Sequence, residues 1–230
     1  MASLRRLGLV AASAFVGLLV LLLCLPFLAL ATPPNPPTTG PTTTGVATDA
    51  APAATVAGIP LRVLTAYKAV NGWCPGLRWE LIAGIGAAES GNATTGGATV
   101  NPQTGEVTPW IFGPPLDGAA GLERLPIGQW LGWFGLTGPW QQGVGPMQFL
   151  PATFTEWAVS LGASVADPHN IDDAVATAAN YLCQGHSGAI TNERAAVLRY
   201  NDSQAYASEV LAYADSLPGV RRISSGDRRR

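Results

Sequence analysis

Charge is scarce in this chain: Asp, Glu, Lys and Arg together make up 12 % of 230 residues, and the net charge is −2. A protein that grips nucleic acid through its phosphates needs a basic face, so that class is excluded for the bulk of the sequence. Histidine is scarcer still, with only His169 and His186. Neither His-Glu-x-x-His nor paired Cys-x-x-Cys spacing occurs, so no metal centre is expected and both histidines are expected at ordinary surface or loop positions. Asp167, Asp172 and Asp173 lie close together, but the stretch has no calcium-loop glycine or terminal glutamate. A phosphate-cradling glycine loop, a Ser-His-Asp set and internal repeats are missing too. No cofactor is expected.

Cysteine occurs three times. Cys24 falls inside an uncharged apolar run, Leu7 to Ala31, that follows Arg5 and Arg6 and is long enough to span a bilayer. Residues 1–31 therefore read as a membrane anchor or signal segment, with an uncleaved anchor the favoured form. The positive-inside rule puts the following residues on the extracytoplasmic side. Cys74 and Cys183 fall in that exported part, where an oxidising compartment favours a disulfide between them. Residues 32–57, rich in Pro, Thr and Ala, read as an extended linker. Residues 58–219 read as one folded domain. Five of the thirteen basic residues lie between Arg221 and Arg230, so 220–230 reads as a solvated basic tail.

Within the domain the periodicities predict a mainly helical fold. Helices are expected from Pro60 to about Asn71, from Trp79 to a stop at Gly91, and from Pro151 to Leu161 with Gly162 as its stop. Three more are expected from Asn170 through Cys183, from Asn192 to Tyr200, and from Gln204 to Leu217 with Ser203 as cap. Thr99–Ile111 reads as a short β-hairpin. Residues 113–139 form a long Gly- and Pro-rich loop carrying Trp130, Trp133 and Phe134, with Trp140 just beyond, and loops of that length are usually functional.

Glu89 is the chemical focus. It sits in the last turn of the Trp79 helix, among alanine, glycine and isoleucine, where burial and the negative end of the helix dipole should raise its pKa. Such a carboxyl can act as a general acid. Glu80, nine residues earlier, lies on the opposite helix face and is no partner. Glu106, Glu123 and above all Asp117 are the alternatives for a second acid.

Two further stretches stand out: Gly143-Val144-Gly145-Pro146-Met147-Gln148-Phe149-Leu150-Pro151 and Tyr200-Asn201-Asp202-Ser203-Gln204-Ala205-Tyr206. Each alone reads as ordinary helix-start or capping chemistry. Together, in this order after Glu89-Ser90-Gly91, they resemble the lytic murein transglycosylases of the lysozyme-like superfamily, closest to the membrane-bound type common in actinobacteria. The resemblance spans about Ile59 to Leu217. It implies a lysozyme-like catalytic domain acting on peptidoglycan glycan strands, with Glu89 as acid and base and Ser90 as its helper. It also implies Met147, Gln148 and Phe149 as a cleft wall and Tyr200 and Asn201 facing the acid from the far side. Tyr181-Leu182-Cys183 matches as well and supports the disulfide. The chain departs from the family where an acidic, glycine-rich stretch is replaced by the tryptophan-rich loop and Gln141-Gln142. Those tryptophans either pack as a lid on the helices or stack on sugars. A hydrolytic muramidase using Asp117 and a non-catalytic wall-binding scaffold are the competing expectations.

Overall fold

The computed structural model describes residues 54–218 except 163–164 and 186–187. The anticipated membrane segment, nearly all of the linker, the arginine tail and His186 lie outside the described residues. Among the described residues no helix is long and apolar enough to cross a membrane. The fold is mainly helical. Two antiparallel ribbons accompany the helices, β1 (Thr55–Val56) with β2 (Ile59–Pro60) and β3 (Thr99–Val100) with β4 (Val107–Thr108). The six α-helices among the described residues are α1 (Leu61–Ala69), α2 (Trp79–Ser90), α3 (Pro151–Trp157), α4 (Ile171–Leu182), α5 (Glu193–Tyr200) and α6 (Gln204–Ser216).

Helix α2 runs through the middle, packed on α1, α4 and most extensively α6. Its run of small residues is what permits this. A Cβ on Gly84 would come within 2.5 Å of the Val210 carbonyl oxygen of α6. One on Gly86 would strike the Tyr67 hydroxyl of α1 at 1.9 Å. Close approach of backbones replaces side-chain interdigitation here, and Leu81, Ile82 and Ile85 fill the remaining faces with no exposure. Gly91 ends the helix in a left-handed conformation, φ 58, as expected, and its N–H bonds the Ala87 carbonyl.

Long-range polar ties fix the helices around α2. Arg78, at the α2 N-cap, donates to both carboxylate oxygens of Glu193, at 2.6 and 2.9 Å, and to Asp215 at 2.9 Å. It thereby joins α2 to α5 and α6. Arg62 makes a two-pronged pair with Asp172, linking α1 to α4. Cys74 and Cys183 are disulfide-bonded, with Cα atoms 6.0 Å apart, and the bridge fastens the α1–α2 connection to the end of α4.

The remaining helices follow the expected pattern, with one correction. Asn170, Asn192 and Ser203 accept backbone N–H bonds at the starts of α4, α5 and α6. Helix α3, however, stops at Trp157 rather than at Leu161. The N–H groups beyond it are taken by α4 side chains: Val159 donates to Thr177 Oγ1 at 3.0 Å and Leu161 to Asp173 Oδ1 at 2.8 Å. A tertiary acceptor has outcompeted helix propagation.

Candidate functional site

The last turn of α2 carries Glu89 to the floor of a cleft whose other wall comes from the 113–116 and 143–150 segments and from Tyr181, Tyr200 and Asn201. Glu89 is partly exposed there. Its Oε1 accepts a hydrogen bond from the Tyr206 hydroxyl at 2.6 Å. Burial pushes the Glu89 carboxyl up from 4.5 to about 7, with the Tyr206 bond pulling the other way. The direction is the one its apolar neighbours predict. Near neutral pH the group is therefore divided between acid and carboxylate, which suits a proton donor that must later accept.

Tyr206 is the residue that sequence reasoning failed to place at the site. A relay of turn bonds aims it. Asn201 Oδ1 accepts the Ser203 N–H at 3.1 Å, and Ser203 Oγ accepts the Tyr206 N–H at 3.3 Å. Helix α6 then starts with its first-turn tyrosine pointing at the end of α2. The Tyr-Asn-x-Ser-x-x-Tyr stretch is thus capping chemistry that also delivers a hydroxyl to an acid. The Tyr200 and Tyr206 hydroxyls are pushed well above their ordinary range, by burial first and by the nearby Glu89 carboxylate second. Both stay protonated and act as donors.

The Gly143–Pro151 stretch is a tight loop closed by a Val144–Phe149 bridge. Gln148 is held at φ 51, a left-handed backbone costly for a non-glycine residue. Its side-chain nitrogen donates to Gly145 O at 2.7 Å. Its Oε1 lies between Gly113 and Gly143, where a Cβ on either glycine would come within 2.6 and 2.8 Å of it. The glycines exist to let this amide into the cleft wall. Phe149 presents its ring edge-on to Tyr181 and Tyr200, at 6.4 and 5.5 Å. Tyr181 itself is pushed up to about 12 by burial and donates to Arg199 O at 2.6 Å.

Of the expected site residues, Glu89, Gln148, Phe149, Tyr200 and Asn201 converge on the cleft. Met147 and Ser90 do not line it. Met147 is fully buried, and what it supplies is its carbonyl, which accepts the Tyr200 hydroxyl at 2.6 Å. Ser90 is buried behind the acid, donating to Pro146 O at 2.7 Å and accepting the Ala93 N–H at 2.9 Å. It pins the end of α2 to the Gly-Pro-Met turn. Asp117 is absent from the cleft lining, and its carboxylate accepts the Ala119 N–H at 2.8 Å.

His169 requires a correction. Expected as an ordinary surface or loop residue, it does sit in a turn, but it is 1 % exposed. Its ring is stacked on Trp110 and meets Phe112 edge-on, and Nε2 lies 2.9 Å from the Phe134 carbonyl oxygen. That acceptor requires the proton on Nε2, which leaves Nδ1 buried without a hydrogen-bond partner among the described residues. Trp130, Trp133 and Trp140 all lie outside the cleft lining. Trp130 and Trp133 pack edge-to-face at 5.7 Å, and the Arg124 guanidinium covers Trp140 at 5.0 Å. The described residues contain no cluster of three His, Cys, Asp or Glu side chains able to hold a metal ion.

No family model, curated protein or solved structure matches the chain. The likeness to the transglycosylases accordingly rests on the motif residues alone.

Proposed function

We propose that the chain is a peptidoglycan lytic transglycosylase with a lysozyme-like catalytic domain. It cleaves the β-1,4 bond between N-acetylmuramic acid and N-acetylglucosamine. One observation carries this reading: a lone carboxyl, raised to about 7, on the floor of a cleft whose described lining is otherwise uncharged. Hydrolysis by two carboxylates needs a second acid across the substrate, positioned to activate water or attack the sugar. Among the described residues lining the cleft Glu89 is the only acid, and Asp117 is engaged in a turn.

A single carboxyl suffices if the nucleophile belongs to the substrate. Protonated Glu89 donates to the glycosidic oxygen, and the departing strand carries that proton away. The Glu89 carboxylate then takes the proton of the muramoyl 6-hydroxyl as that oxygen closes on the anomeric carbon. The product is a 1,6-anhydro end, and Glu89 is protonated again. Intramolecular attack has a high effective concentration and needs no activated water. Tyr206 stabilises the intermediate carboxylate without holding it so firmly that the acid form is lost. Gln148, Tyr200 and Asn201 supply the polar contacts that orient the strand, and Phe149 and Leu150 supply an apolar wall.

The same reading puts the domain in the cell envelope, on the extracytoplasmic face of the plasma membrane, tethered by the Leu7–Ala31 segment. Its partner is the glycan strand, and no nucleic acid is involved. The test is mass spectrometry of muropeptides released from purified walls by the wild-type chain and by Glu89→Gln. Anhydro products from the wild type and none from the variant are expected. Products heavier by one water would establish a muramidase, and no release by either would establish a binding scaffold.

A further inference from the structure

We propose that Trp110 is a saccharide platform outside the Glu89 cleft, on which a pyranose ring of the glycan strand stacks. This rests on the glycan reading above and extends it to a second binding position.

Trp110 is 47 % exposed, yet its indole is clamped. One face lies parallel on the His169 imidazole, with ring centroids 4.3 Å apart and planes 7° from parallel. Phe112 meets it edge-on at 6.5 Å. Gly135 comes so close that a Cβ there would sit 2.6 Å from the ring. The support is itself anchored, since His169 is buried and tied to the Phe134 carbonyl. Burial also lowers the His169 pKa, so a neutral imidazole backs the indole. The outcome is a large flat ring held in one orientation with about half of the residue's surface, 47 %, still exposed. Fixing an aromatic face beforehand removes the ordering cost that weakens binding by mobile side chains. A pyranose offers such a face its flat array of C–H groups, while the indole N–H can reach a hydroxyl.

Its place in the chain gives the platform its direction. Trp110 leads through Phe112 straight into Gly113 and Pro114 of the cleft wall. Phe112 bridges to Val144, and the Gly113 N–H bonds Gly143 O at 2.9 Å, so this segment is tied to the loop that holds Gln148. Three residues of extended chain separate Trp110 from Gly113 by at most about 10 Å. That is the reach of a sugar or two beyond the cleft. The other exposed indole, Trp133, lacks such a backing: its ring contacts, with Trp130 and Phe134, are both edge-on. One face of Trp140 is already covered by Arg124.

The full chain in detergent, carrying Glu89→Gln to prevent turnover, should be titrated calorimetrically with a short and a long β-1,4 oligomer of N-acetylglucosamine. The long oligomer should bind more tightly. Trp110→Ala should weaken it roughly tenfold and leave the short one unchanged, with Trp110→Phe intermediate. An unchanged affinity for the long oligomer in Trp110→Ala would overturn the platform and leave the glycan cleft standing. If the parent binds neither oligomer, the glycan reading falls and takes the platform with it. Should Trp110→Ala not fold, the Trp110 indole resonance, assigned by its loss in Trp110→Phe, decides the matter in the parent. Saturation transfer between it and the sugar C–H protons is expected, and its absence with bound long oligomer would overturn the proposal.

Discussion

Replacing Glu89 with Gln should stabilise the domain, and only above the pH at which the carboxyl of the unfolded chain ionises. In the unfolded chain the group has its ordinary value of 4.5, and in the native fold it is raised to about 7. Below 4.5 both states are protonated and the burial of Glu89 carries no ionisation penalty. Between the two values the unfolded chain gives up its proton first, so native stability falls as pH rises. Above 7 the native state holds a carboxylate stripped of most of its water, and the penalty is complete. At about 1.4 kcal/mol for each factor of ten in the proton equilibrium, it amounts to about 3 kcal/mol. Glutamine keeps the shape and still accepts the Tyr206 hydroxyl but has no proton to lose. For a domain of this size the gain corresponds to a rise in melting temperature of roughly 6–12 °C. Melting wild type and variant side by side at about pH 4 and about pH 8 tests it: near-coincidence is expected in acid and a clear separation in base. An equal shift at both pH values, or none at the higher, would refute the desolvated acid.

Tyr206→Phe removes a bond that favours the carboxylate, so Glu89 should titrate higher still, by about one pH unit given roughly 1.5–3 kcal/mol for a charge-assisted bond and partial replacement by water. Carbon-13 NMR of the Glu89 side chain would show this directly, and a downward movement would contradict the assigned donor. Reduction of Cys74–Cys183 frees a span of 109 residues and should cost about 2–5 kcal/mol of stability, read from denaturant melts with and without reductant. Gly84→Ala should destabilise by about 1–3 kcal/mol, because a methyl group 2.5 Å from the Val210 carbonyl oxygen must push α6 away. A neutral result there would mean that α2 and α6 are not in backbone contact.

The sequence by itself determined what depends on local chemistry. Asn170, Asn192 and Ser203 announce helix starts because a short polar side chain bonds an orphan N–H within three residues. Gly91 announces a stop because it takes the left-handed conformation. The apolar surroundings of Glu89 in its own helix were enough to give the direction of its pKa. Cys74 and Cys183, the two cysteines outside the apolar N-terminal run, pointed to their bridge. Tertiary structure decided what depends on residues far apart in the chain. Tyr206 and Glu89 are 117 positions apart, and no periodicity relates them; only the packing of α6 on α2 brings the hydroxyl to the acid. The early end of α3 came from Thr177 and Asp173 offering acceptors from another helix. Met147 and Ser90 turned inward because their motif needed a buried carbonyl and a buried hydroxyl to hold its turns together. His169 was invisible as a core residue because its burial depends on Trp110, Phe112 and Phe134 folding over it. Hydrogen bonds to near neighbours are written in sequence, whereas desolvation and long-range contact exist only once the chain has closed on itself.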